Sequence, residues 1–185
     1  MYTFKRIAVT NRNLCARPFL EQLERIVGQV DMVVLREKDL PESEYEQLAK
    51  GVLGLCQRHG TSCVLHTYVE AARRLGCPAI HLPLPLFEQF AGNLSDFTVL
   101  GSSVHSVAEA RKAQGLGATY LMAGNVFATD SKKGLPPRGL DFLKDVCEAV
   151  SVPVYALGGI TGEKEALTYA CGAKGACRMS DYMRA

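Results

Sequence analysis

Short apolar runs alternate with longer amphipathic stretches along this chain, and the alternation recurs eight times. Residues 6–10 (Arg-Ile-Ala-Val-Thr) and 31–36 (Asp-Met-Val-Val-Leu-Arg) read as strands. So do residues 62–66, 79–82, 97–101, 119–122, 152–157 and 174–179. Between them the apolar period lengthens to that of a helix. Leu20, Leu23 and Val27 follow Pro18, which suits a first turn. Tyr45, Leu48, Val52 and Leu55 follow Pro41. Residues 67–75 make a short helix, and one turn is expected near 87–91 after a Pro-rich link. Residues 104–116 carry Val107, Ala110 and Leu116 on one side. Leu140, Leu143, Val146 and Val150 mark a further helix, and residues 163–170 a last one closed by Gly172.

Strands alternating with helices argue for an α/β fold with a parallel sheet. Near-continuous apolar strands fit a sheet covered on both faces. Eight units predict a closed (β/α)₈ TIM barrel, with a doubly wound sheet as the alternative. At 185 residues the chain falls short of the ~200 usual for that barrel, so the last helix is expected to be missing. No linker or charge run divides residues 1–185, which read as a single domain.

Composition narrows the function. A net charge of +2 is too small to imply nucleic acid or an acidic membrane surface. No apolar run approaches the ~20 residues of a membrane span, and the opening Met-Tyr-Thr-Phe-Lys-Arg lacks a signal peptide's apolar segment. The seven cysteines are odd in number and none has CxxC spacing, which argues against a zinc site or disulfide framework. A cytoplasmic location is expected.

In such a barrel the active site gathers where strands end, and the polar residues of this chain cluster there. Arg36 and Lys38 end the second strand, His66 the third, and His81 lies near the end of the fourth. Ser102, Ser103 and His105 follow the fifth, and Asn125, Thr129, Ser131 and Lys132 the sixth. Hydroxyls beside lysines in that sixth loop suit phosphate, because they combine donors with fixed positive charge. Gly158-Gly159 follow the seventh strand and Met179-Ser180 the eighth, the two places where barrels of this kind hold phosphate. His81, between Ile80 and Leu82, reads as structural, and His105 as facing the helix after it.

Five segments in order resemble the thiamine phosphate synthase and TenI-type thiazole tautomerase superfamily. They are Ile7-Ala8-Val9-Thr10-Asn11-Arg12, Leu35-Arg36-Glu37-Lys38, Gly101-Ser102-Ser103-Val104-His105-Ser106, the loop from Gly124 to Gly134, and Pro153 through Gly158-Gly159-Ile160-Thr161. The resemblance implies a (β/α)₈ barrel, a role in thiamine metabolism and a thiazole phosphate as small-molecule substrate. It also implies phosphate contacts at Gly159, Met179 and Ser180. Ser103 matches the family's ligand-contacting serine, with a helix N-cap ahead of Val104 as the other reading.

The chain departs from the synthase pattern. Synthases carry an Asn-Asp pair after strand three and an Asp after strand four; here stand His66-Thr67 and His81-Leu82-Pro83-Leu84. The usual Gln before Leu-Arg is Val34. Leu84 cannot ligate a hard cation, so no metal site and no cofactor are expected; Mg²⁺ would be needed only by a synthase. The tautomerase reaction needs neither diphosphate nor metal. For it Arg36 would bind the carboxylate. The tautomerase's histidine is Asn125 here, and His66 is expected to move the proton. An isomerase is therefore the leading expectation, with the synthase or a non-catalytic binder of thiazole or thiamine phosphates as alternatives. A barrel flank without its last helix invites a second subunit, so a homodimer is expected.

Overall fold

The computed structural model describes residues 4–129 and 134–185. Among them, eight parallel strands close on themselves in chain order: β1 (Lys5–Val9), β2 (Met32–Leu35), β3 (Ser62–His66), β4 (Ala79–Pro83), β5 (Val99–Val104), β6 (Tyr120–Gly124), β7 (Val154–Leu157) and β8 (Gly175–Arg178). The ring is completed by β8 against β1, with Ile7 opposite Cys177. Helices α1 (Phe19–Ile26), α2 (Glu42–His59), α3 (Val69–Arg74), α4 (Leu84–Gln89), α5 (Val107–Gly115), α6 (Gly139–Ala149), α7 (Glu165–Ala170) and α8 (Ser180–Met183) follow the strands in turn. The chain thus forms the predicted (β/α)₈ barrel.

The strands bury both faces, which is why they read as apolar runs rather than alternations: all four residues of β2 and all five of β6 are buried. Helix α2 shows the complementary logic. Tyr45, Ala49, Val52, Leu55 and Cys56 recur at helical spacing and face the sheet. Gly60 then stops it with φ +67, a left-handed residue that glycine adopts without a Cβ penalty. Inside the ring, aromatic side chains need room. A Cβ at Gly101 would overlap Tyr120 and His81, and one at Gly175 would crowd Tyr155 and the Lys5 backbone, so both strand glycines are packing choices.

Several expected boundaries move. The fifth strand runs Val99–Val104 instead of 97–101, so Ser102 and Ser103 sit on the strand. Strand pairing of Ser102 with Leu82 and Ser103 with Pro83 outweighs the weak strand preference of Gly-Ser-Ser. Helix α5 accordingly starts at Val107 rather than 104, and Ser106 caps it by accepting from the Glu109 N–H at 3.1 Å. The cap reading for Ser103 is thereby excluded. Helix α3 begins at Val69 instead of 67, and the turn expected near 87–91 is α4, starting at Leu84. The last helix is reduced to the one turn of α8 rather than absent.

Candidate active site at the barrel mouth

A cavity of about 750 Å³ opens where the strands end. It collects Arg36, Lys38, His66, Ser103, Asn125, Thr129, Gly158, Gly159, Met179 and Ser180, as the strand-end argument expected. His81 and His105 line it as well. Ser131 and Lys132 lie outside the described residues.

Two arcs make up the mouth. On the β6–β8 side the backbone does the shaping. Gly158 and Gly159 have φ +100 and +63. A Cβ on Gly159 would overlap the Ala128 carbonyl oxygen, and one on Gly158 would come within 2.6 Å of the Asn125 Cβ. Only glycine lets these two turns nest together. Lys164 donates from Nζ to the Gly159 carbonyl at 2.8 Å and stacks 4.7 Å over Phe127. Arg178 lines the same arc and pairs with Glu165 at 3.3 Å. Neither cation was singled out in the sequence; the one available signal was an arginine at a strand's end.

Asn125 follows a cis peptide bond and is 5% exposed. Its Nδ2 has no hydrogen-bond partner among the described residues. A buried donor without a partner costs about 1–3 kcal/mol, and this one lines the cavity, where a ligand acceptor would satisfy it.

On the β2–β4 side the side chains set the chemistry. Arg36 and Lys38 follow β2, and no carboxylate among the described residues pairs with either. Burial, and then the neighbouring Arg36, push the Lys38 pKa down. Between them Glu37 points the other way, into the barrel wall. It accepts from Thr10 Oγ1 at 2.7 Å and from the Arg12 N–H at 3.0 Å, and it is 2% exposed. Arg12 also forks onto Asp39 through two 2.7 Å bonds. The Arg36 N–H donates to Thr10 Oγ1 at 2.9 Å. Thr10, Arg12 and Glu37 therefore hold the loop that aims Arg36 and Lys38.

His66 is 4% exposed. Its backbone N–H donates to the Tyr45 hydroxyl at 2.8 Å, and that hydroxyl donates to the Leu35 carbonyl at 2.7 Å. Helix α2 thus ties the ends of β2 and β3 together. The His66 Nδ1 lies 2.6 Å from Thr67 Oγ1, while Nε2 has no partner among the described residues. Its ring stacks on His81, with 5.2 Å between centroids. Burial first, then His81, Lys38 and Arg36, hold the His66 pKa well below the usual 6.5. The imidazole is accordingly neutral, and the tautomer that gives Nδ1–H to Thr67 leaves a lone pair on Nε2. Thr67 adopts φ +75, uncommon for a β-branched residue.

His81 is fully buried, with Nδ1 3.0 Å from the Tyr120 hydroxyl and Nε2 2.8 Å from Ser103 Oγ. His105 does face its helix: its N–H donates to Glu109 at 2.6 Å.

A family model described as thiamine monophosphate synthase matches residues 7–181. The chain belongs to that family. An Aquifex aeolicus protein assigned as a second thiamine-phosphate synthase is 36% identical over 178 residues, covering 95% of this chain and 96% of its own. The thiamine-phosphate synthase of Syntrophomonas wolfei is 32% identical over 185 residues, covering 96% and 87%. Among solved structures, thiamine phosphate pyrophosphorylase from Pyrococcus furiosus superposes with a TM-score of 0.81 at 28% identity, covering 97% of this chain and 87% of that one.

The magnesium of the synthase reaction can be tested against the residues present. Where the resemblance places the synthase's metal carboxylates stand Thr67, whose hydroxyl lies 2.6 Å from His66 Nδ1, and Leu84, a buried aliphatic at the start of α4. Among the described residues no three or more histidines, cysteines, aspartates and glutamates gather as a metal site. Magnesium needs hard oxygen ligands, and this arc of the family's barrel does not supply them.

Proposed function

We propose that this thiamine monophosphate synthase family member binds a thiazole phosphate and isomerises (aromatises) the carboxythiazole phosphate without a metal. The observation that carries the reading is His66: a neutral imidazole lining the cavity with a free Nε2, on an arc where magnesium carboxylates are missing. The phosphate would rest on the Gly158-Gly159 turn and on Met179 and Ser180. Arg36 would take the carboxylate in a bidentate contact, with Lys38 adding charge.

The proton then moves within one ligand. His66 Nε2 removes it from the ring carbon bearing the carboxylate. The released electron pair shifts the exocyclic double bond into the ring, and the imidazolium returns the proton to the exocyclic carbon. No atom is gained or lost and the ring becomes aromatic. Arg36 and Lys38 stabilise the negative charge that builds up between the two transfers. The Asn125 amide is an additional donor to the ligand. A positioned acid–base group of this kind contributes about 10²–10⁴-fold.

The second reading is the transferase reaction, joining hydroxymethylpyrimidine diphosphate to thiazole phosphate, and the names of the relatives favour it. Turnover of the dihydrothiazole carboxylate phosphate, followed by ultraviolet absorbance as the ring aromatises, tests the first reading. Acceleration lost in His66→Asn supports it. Absence of acceleration overturns it, and adding the pyrimidine diphosphate with Mg²⁺ then separates a synthase from a binder. A cytoplasmic enzyme acting as a homodimer accompanies this proposal; light scattering at micromolar concentration checks the dimer.

A further inference from the structure

His81 has no part in the proton transfer just described, yet both of its ring nitrogens are occupied. Nδ1 meets the Tyr120 hydroxyl at 3.0 Å and Nε2 meets Ser103 Oγ at 2.8 Å. The three side chains come from β4, β6 and β5, with His81, Gly101 and Tyr120 in register across the strands. Gly101 is what allows the contact, since a Cβ there would overlap both the Tyr120 hydroxyl and the His81 Nδ1.

The direction of each hydrogen bond follows from the surroundings. Tyr120 is 3% exposed, and burial raises its pKa well above 10, so it keeps its proton. A buried hydroxyl must give that proton to an acceptor. Among the described residues the acceptor is His81 Nδ1. His81 is itself neutral: burial, then Lys38 and Arg36, lower its pKa to about 3. A neutral imidazole that accepts at Nδ1 carries its hydrogen on Nε2. That N–H donates to Ser103 Oγ, so the Ser103 hydrogen is directed elsewhere, and Ser103 lines the cavity.

We infer that Tyr120 and His81 are positioning residues that fix Ser103 as a hydrogen-bond donor to the ligand. The group Ser103 meets is therefore an acceptor that carries no proton: a carboxylate oxygen, a phosphate oxygen or an unprotonated ring nitrogen. Arg36 and Lys38 in the same cavity select an anionic oxygen among these. The tautomer follows from the fold alone, whereas the ligand half rests on the proposed function.

Nitrogen-15 NMR of the histidine-labelled protein reads the tautomer directly. The expected result is a His81 proton on Nε2; a proton on Nδ1 overturns the inference. The ligand half is read from the affinity for the aromatic carboxythiazole phosphate. Ser103→Ala is expected to weaken binding about tenfold, and Tyr120→Phe severalfold. The double variant should bind no worse than Ser103→Ala, because Tyr120 acts only through that serine. Losses that add in the double variant overturn the relay. Should Tyr120→Phe fail to fold, the wild-type tautomer still decides. Absence of binding by the wild-type protein overturns the proposed function and the ligand half with it, while a proton on Nε2 would stand on its own.

Discussion

The β6–β8 arc of the mouth and the β2–β4 arc are built from different materials. The first is backbone: two left-handed glycines nested against Asn125 and Ala128, with the short turn of α8 beside them. The second is side chains: Arg36, Lys38, His66 and the buried His81. A backbone cradle for phosphate depends on shape, and many sequences can supply it provided the glycines stay. Chemistry carried on side chains can be rewritten by single substitutions. In this chain the glycine turn is present, and His66-Thr67 and Leu84 stand where the resemblance to the family places the synthase's metal carboxylates. Under the proposed function, the difference teaches that ligand class and reaction would be held by separate parts of the barrel.

The comparison can be broken or sharpened by experiment. The largest effect is expected on the side-chain arc: His66→Asn should lower turnover of the dihydrothiazole carboxylate phosphate about 10²–10⁴-fold. Affinity for the aromatic product should stay unchanged, as calorimetry would show. A variant with full turnover would remove His66 from the reaction.

On the backbone arc, Gly159→Ala meets the Ala128 carbonyl at a φ of +63. A left-handed non-glycine residue costs of order 1–3 kcal/mol, so a lower melting temperature and about a hundredfold weaker phosphate-ester binding should appear together. Unchanged binding would move the phosphate away from this turn.

Arg36→Gln should weaken the carboxylated ligand about 10–100-fold, the worth of a charged hydrogen bond. It should leave the thiazole phosphate without a carboxylate nearly unaffected. Equal losses for both ligands would place Arg36 on the phosphate instead.

Acid should act through the imidazoles. His66 and His81 both have folded pKa values depressed below the unfolded 6.5, His81 to about 3. The unfolded chain takes up protons that the folded one refuses. Stability is therefore complete above pH 6.5 and falls as pH drops below it, by about 1.4 kcal/mol per unit for each histidine. Urea unfolding at pH 7 and pH 5 should show this slope, and His81→Gln should reduce it. The smallest expected effect is that of a chelator, which should not change the isomerase rate at all; loss of rate with EDTA would restore a metal to the side-chain arc.

How much was legible in the sequence also differs between structural levels. Strand order and barrel closure could be read because a buried parallel strand is a continuous apolar run, and eight of them recur between helices. The end of β5 could not. Gly101-Ser102-Ser103 has no strand character of its own and is held by its neighbours on β4 and β6. The strand-end residues of the site were legible for the reason the barrel is, since polar residues at the close of apolar runs stand out. Their supports were not. Tyr45 reaches His66 across 21 residues, Glu37 reaches Thr10 across 27, and Tyr120 reaches His81 across 39. No local pattern announces a bond made over such separations. His81 read as structural because it sits between aliphatic residues, and only its two partners reveal what it can orient.

The ring that joins β8 to β1 has a consequence for how the protein comes into being. Lys5 pairs with Gly175 and Ala8 with Arg178, so the seam is made by the first and last strands of the barrel. On a ribosome β1 is made before the other strands and must wait, one edge unpaired, until β8 has emerged. Exposed strand edges of this kind attract other chains, and contacts so distant in sequence form slowly. The Gly158-Gly159 turn, α8 and the seam all come after β7 in chain order. Until β8 is made the strands form an open sheet with two free edges, and the strand that closes the ring arrives just after the Gly158-Gly159 turn and just before α8.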